Sequence, residues 1–217
     1  MVDDWKKEWL PLLVTFNHDL LAYLHRSWWD EVPHGELAAG LQKGNRARRH
    51  LNRYLAKCLE VSPEPALEFE ERLWRVALLP ADALWSLCLS LGVCRYARAI
   101  RGIIDGVARR RLEAAIGSGR VSLALRQSLE GSGLALEWEI GKAPGNADEL
   151  AAAGMELIIA QTGPLPGEIG SRLRLKCPAA WQTHPWWRRA SRKSPGGEAW
   201  LLRNITGRLP RWQPLFA

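Results

Sequence analysis

Asp82-Ala-Leu-Trp-Ser-Leu-Cys-Leu-Ser-Leu-Gly92-Val-Cys-Arg-Tyr-Ala-Arg-Ala-Ile100-Arg101 is the stretch on which the reading of this chain turns. Leu84, Leu87, Cys88 and Leu91 fall at i, i+3, i+4 and i+7, the spacing of one buried helical face. Pro80 and Asp82 stand where a helix start takes a breaker and an N-cap. Ile100, Ile103, Ile104 and Val107 continue the apolar spacing. Leu84, Leu87, Leu91, Ile100, Ile103 and Ile104 are therefore expected in the core.

The segments around it carry the same period. Phe16, Leu20, Tyr23 and Leu24 predict a helix near the N-terminus. Asn45 to Leu59 predicts a basic amphipathic helix, with Leu51, Tyr54, Leu55 and Cys58 on one side and Arg46, Arg49 and Arg53 largely opposite. Phe69 to Leu79, Val121 to Leu129, Asn146 to Gln161 and Glu198 to Leu209 add further helices. Alternation in Leu134 to Ile140 and in Arg172 to Lys176 predicts two short strands instead, with Glu137 and Glu139 facing Arg172, Arg174 and Lys176. The expected fold class is mainly α: one helical domain over residues 1–217 with a small two-stranded β element, and a flexible basic loop over residues 178–197.

A chain of 217 residues is long enough to bury a sizeable core. Cys58, Cys88, Cys94 and Cys177 form no C-x-x-C pair and have no histidine at zinc-ligand spacing, which favours free thiols in a reducing compartment. Asp3 and Asp4 precede no apolar run, so no signal peptide is expected. No apolar stretch approaches the roughly 18 residues of a spanning helix, so a cytoplasmic protein without membrane insertion is expected. The net charge of +7 hides a block pattern: −3 over residues 1–44, +4 over 45–61, −3 over 62–90, +6 over 91–126, −6 over 127–170 and +9 over 171–217. Such blocks suit acidic partners without choosing among protein, nucleic acid and anionic membrane.

No phosphate loop, dinucleotide fingerprint, nucleophile elbow or zinc-protease motif is present. His18 and His25 lack a third metal ligand, and no carboxylate pair is singled out by its setting. A protein with neither catalytic machinery nor a cofactor is expected. The 12 tryptophans against three tyrosines and three phenylalanines point instead to surfaces, since half-exposed tryptophan and arginine dominate interfaces. Candidate partner-binding residues are Tyr23, His25, Trp28 and Trp29 in the acidic N-terminal block, the row Arg109, Arg110 and Arg111, and Trp186, Trp187, Arg188 and Arg189 in the basic C-terminal block. Tyr23 and Trp28 have a second reading, as closure of the core beneath the first helix. Aromatic rings beside cations also suit single-stranded nucleic acid, but no recognised nucleic-acid motif accompanies them.

Several stretches, taken in order, resemble the K-subunit family of bacterial type III secretion sorting platforms (YscK-like, SctK). Phe16 followed by Ala22-Tyr23-Leu24-His25 and Ser27 is similar to the family's Phe…Tyr-Leu-His segment, and Leu84 to Arg101 follows. Gly154 and Leu157, then Pro164 and Pro166, then Arg172-Leu173 with Leu175 and Pro178 resemble a later run, and Leu215-Phe216 close the chain. The basic stretch from Trp181 to Gly197 and the abundance of tryptophan depart from the pattern. The resemblance implies a predominantly helical, non-enzymatic adaptor at the cytoplasmic face of the inner membrane. Its implied partners are the cytoplasmic domain of the inner-membrane ring D subunit and the pod Q subunit, and through Q the L stator and the N ATPase. A basic Trp-rich nucleic-acid-binding protein and another helical scaffold or chaperone remain as alternative readings.

Overall fold

The computed structural model describes residues 9–42, 44–126, 145–184, 187 and 196–216, and every regular element among them is helical. Ten α-helices are described: α1 (Leu10–His18), α2 (Gly35–Leu41), α3 (Asn45–Cys58), α4 (Ala81–Arg95), α5 (Ala97–Arg101), α6 (Gly106–Ile116), α7 (Ser118–Arg126), α8 (Ala147–Thr162), α9 (Gly167–Leu175) and α10 (Gly197–Arg208). Tight 3-10 turns at Leu20–Ala22, Arg26–Glu31, Arg72–Leu78, Ala179–Thr183 and Pro210–Phe216 link them. None of the described helices is long and apolar enough to cross a membrane. The chain forms two compact units, one from Met1–Ala81, Leu165–Trp187 and Pro214–Ala217, the other from Asp82–Pro164 and Arg188–Gln213.

The second unit is organised by α4 and α8. Every residue of α4 from Leu87 to Cys94 is buried, so this helix is covered all round rather than on the single face its spacing suggests. Asp82 lies in the first turn of α4, not at its cap, where its carboxylate faces the positive end of the helix dipole. α8 begins where Asn146 accepts the backbone N–H of Glu149 at 2.8 Å. The two helices touch backbone to backbone. A Cβ on Gly92 would lie 1.8 Å from the Leu150 carbonyl oxygen, and one on Gly154 would lie 1.7 Å from that of Cys88. Because residues 88 and 92 meet 154 and 150 respectively, the helices cross antiparallel. Arg95 ties them again, bonding Glu156 Oε2 at 2.7 Å. α7 is held to α4 by Arg120, which donates to Ser86 Oγ at 3.0 Å, and α10 by Arg208, 3.2 Å from Cys94 Sγ.

Two expectations fail here, one through a local helix break and one through distant partners. The apolar spacing does not carry the core past Ile100: the chain leaves the helix after Arg101, and Asp105 caps a new one by accepting from Val107 and Ala108. Ile104 is consequently 96% exposed and Ile103 only half-buried, against the core positions expected for both. The segment Arg172 to Leu175 is not a strand but the last turns of α9. Its alternation arises because all three cations reach backbone carbonyls while Leu173 and Leu175 are buried between them. The other expected strand, Leu134 to Ile140, lies outside the described residues.

In the first unit the core gathers around the ammonium of Lys176, just past α9. It is buried, donates to the carbonyls of Ala77 and Leu79 at 2.6 Å each, and lies 5.1 Å and 4.9 Å from the ring centroids of Phe16 and Tyr23. Among the described residues no carboxylate pairs with it. Burial therefore pulls its pKa from 10.5 down to about 7.

Gly154→Ala should lower stability by about 2–3 kcal/mol, because the added methyl group meets immovable backbone. Gly207→Ala, in α10 with nothing within 4 Å of the added carbon, should be neutral or stabilising. Urea unfolding of both variants checks this; equal effects would remove the close crossing. A second measurement concerns Lys176. From pH 7 upward the unfolded chain keeps a proton that the folded chain has released, so stability rises with pH until Cys177, pushed up from 9.0 to about 12 by burial, opposes it. The gain between pH 7 and pH 9 should be about 2 kcal/mol, and Lys176→Met should abolish this slope. An unchanged slope in that variant would assign the effect elsewhere.

Candidate docking surfaces

α3 contains no acidic residue, and its cations are unevenly committed. On the side facing the Leu20–Ala22 turn, Arg48 forms a two-pronged bond to Asp19, with Nε at 3.1 Å from both carboxylate oxygens and its second terminal nitrogen 2.6 Å from Oδ2. Asn52 adds a donor to Asp19 Oδ1 at 3.1 Å and accepts the backbone N–H of Leu21 at 3.1 Å. Asp19 is thereby neutralised. Arg49, Arg53 and Lys57 are exposed along the same cleft, a space of about 740 Å³ that also touches His18, Ser62 and Arg172.

Arg172 forms its floor. It is buried and spans two segments, donating to the Glu168 carbonyl at 2.8 Å and to the Ser62 carbonyl at 3.1 Å. Burial draws its pKa below the ordinary arginine range, with Tyr23 and Glu168 acting against that shift. Such a cleft attracts carboxylates or other anions by charge. Among the described residues no group of three His, Cys, Asp or Glu side chains is arranged to hold a metal ion.

The residues singled out in the sequence fall into three groups. Tyr23 is buried; its hydroxyl donates to the Phe16 carbonyl at 2.8 Å and its ring stacks on Phe16 at 5.9 Å. Burial raises its pKa above that of an ordinary phenol. Trp28 is buried too, its Nε1 donating to the Cys177 carbonyl at 2.8 Å. His25 is half-buried, its backbone N–H donating to the Leu175 carbonyl at 2.8 Å and its Nδ1 lying 2.9 Å from Ser27 Oγ. His25 and Trp28 pin the Arg26–Glu31 turn to the end of α9 while Tyr23 closes onto Phe16, so the core-closing reading describes Tyr23 and Trp28.

Trp29 and Trp187 are half-exposed. Arg109, Arg110 and Arg111 are exposed on α6 in the second unit, where Arg109 pairs with Glu113 one turn on at 3.2 Å. Trp186, Arg188 and Arg189 lie outside the described residues. Sequence spacing brought α3 to notice but not the clasp between Asp19 and Arg48, whose partners are 29 positions apart.

The family model described as YOP proteins translocation protein K (YscK) matches residues 13–205 of this chain. Among curated proteins and among solved structures nothing matches it.

Asp19→Ala should destabilise the fold by about 1–2 kcal/mol, since it removes charged hydrogen bonds and leaves Arg48 facing other cations. Arg49→Ala and Arg53→Ala should stay within about 0.5 kcal/mol of the parent. Thermal denaturation of the three variants checks the division; a large loss at Arg53 would make that side chain structural.

Proposed function

The chain belongs to the YscK family of type III secretion proteins, and on that premise we propose that it is a sorting-platform adaptor. In this reading it works in the cytoplasm, at the inner face of the inner membrane. One surface binds the cytoplasmic domain of the ring D subunit. Another binds the pod Q subunit, which connects it to the L stator and the N ATPase. The chain itself carries out no catalytic step and holds no cofactor.

The observation that carries the reading is the family match, which runs from α1 into α10 and so takes in helices of both units. Two features support it. Exposed cations stand on α3 in the first unit and on α6 in the second, which supplies each unit with a surface for an acidic partner. Sequence-distant patches of this kind suit an adaptor, whose task is to hold two proteins at once.

Affinity purification of the tagged full chain from cells assembling the apparatus should recover both D and Q. Arg49→Glu with Lys57→Glu should weaken one of these partnerships, and Arg109→Glu with Arg110→Glu and Arg111→Glu the other, each with rising salt sensitivity lost. Recovery of neither subunit with the unsubstituted chain would end the adaptor reading. Recovery of both after either charge reversal would remove that patch from it.

A further inference from the structure

Beside the basic cleft, on the opposite flank of α3, lies a groove of different character. It occupies about 380 Å³ and is lined chiefly by Pro33, Leu37, Leu41, Leu51 and Tyr54. Leu37 and Leu41, one turn apart on α2, are 69% and 52% exposed. Large aliphatic side chains lining one concavity at that exposure mark a contact surface rather than scattered surface residues. The groove is preformed: Tyr54 donates its hydroxyl to the Pro33 carbonyl, which fixes the ring as the wall between α2 and α3.

The rim decides what fits. Arg46, His50, Arg53 and Lys57 recur at i, i+4, i+7 and i+11 along α3, all exposed, forming a basic ridge parallel to the groove and one residue round the helix from Tyr54. No acid on α3 offsets them, and the one acid on α2 is Glu36. A partner whose flanks are basic meets like charge along the whole ridge. A partner whose flanks are acidic gains charge complementarity while its apolar stripe covers Leu37 and Leu41.

We propose that the groove between α2 and α3 docks an acidic amphipathic helix of another secretion subunit, with its apolar side chains at i, i+3 or i+4, and i+7 against Leu37, Leu41 and Tyr54, and its carboxylates on the Arg46–Lys57 ridge. This rests on the adaptor reading and supplies the chemistry by which one partner is recognised. The mode is a helix laid in an apolar groove, oriented by charge. The groove gives affinity, and the ridge gives encounter rate and selectivity.

The test uses the full chain in two settings. In cells assembling the apparatus, a photo-crosslinking amino acid at position 37 should capture a segment of another secretion subunit. Mapped by mass spectrometry, that segment should show apolar helical spacing with an excess of Asp and Glu. Capture of a second copy of this chain, of lipid, of a basic or extended segment, or of nothing overturns the proposal.

With purified protein, a fluorescent helical peptide carrying leucine at i, i+3, i+7 and i+10 and glutamate elsewhere should bind in a salt-dependent manner. Its lysine counterpart should not. Leu37→Ser with Leu41→Ser should weaken the glutamate peptide at least tenfold, and Arg46→Glu should weaken it and flatten its salt dependence. Equal binding of the two peptides, or indifference to these exposed-site substitutions, overturns the proposal. If the Leu37→Ser, Leu41→Ser chain still recovers D and Q in full, the groove is refuted while the adaptor reading stands. If the unsubstituted chain recovers neither, both fall.

Discussion

The backbone contact of Gly92 with Leu150 and of Gly154 with Cys88 is the constraint from which the second unit follows. Two helices whose backbones meet at these positions have no room for a side chain between them, since a Cβ on either glycine would overlap the opposite carbonyl. Close approach buries the whole circumference of α4 from Leu87 to Cys94, because neighbours crowd it on every side. It also brings Arg95 within reach of Glu156, so that a half-buried arginine finds its counter-charge on the facing helix. Burial lowers the pKa of Arg95, and the carboxylate of Glu156 works against that shift. The ties from Arg120 and Arg208 then fasten α7 and α10 to a helix already fixed in place.

The first unit answers a different problem, how to close a core built from short helices and 3-10 turns. Its solution is to spend cations on backbone oxygen. Arg172 donates to the Ser62 carbonyl, Arg174 to that of Leu59, and Lys176 to those of Ala77 and Leu79. Each links the α9 region to a different point on the irregular segment after α3, where carbonyls outnumber the available backbone donors. The arrangement costs desolvation, which is why the pKa values of all three are lowered. In return the loop carbonyls are satisfied. The rings of Phe16 and Tyr23 add their negative faces to the lysine site.

Much of this was legible in the sequence where signals are local. The basic helix α3 begins at the expected residue and ends one short of the expected end, and α8 starts and stops one residue later than expected, because periodicity depends on neighbours a few positions apart. Failures came where a local helix break or distant partners override the periodic pattern. Alternation at Arg172 to Lys176 mimics a strand only because cations that usually face water here turn to carbonyls about a hundred positions away. Ile103 and Ile104 keep helical spacing across a helix break that Asp105 creates. For Tyr23 and Trp28 the sequence left an interface reading and a core-closing reading side by side, and the polar tip of each is used on a backbone carbonyl within the core. At the candidate surfaces the residue types were visible, but not which arginines were committed.

That distinction changes what the net charge of +7 means. Arg172, Arg174 and Lys176 contribute three of the ten cations in the most basic sequence block, yet they are occupied by the fold and offer little to a partner. Arg48 is likewise neutralised by Asp19. Arg46, Arg49, Arg53 and Lys57 are exposed on one helix that has no acid of its own, and none of them has a carboxylate partner among the described residues. Since paired charges act weakly at a distance and unpaired ones set the local potential, the middling block around α3, not the most basic stretch, dominates the described part of the first unit. A partner approaching that unit is selected by a short helix whose opposite flanks offer a basic cleft and an apolar groove.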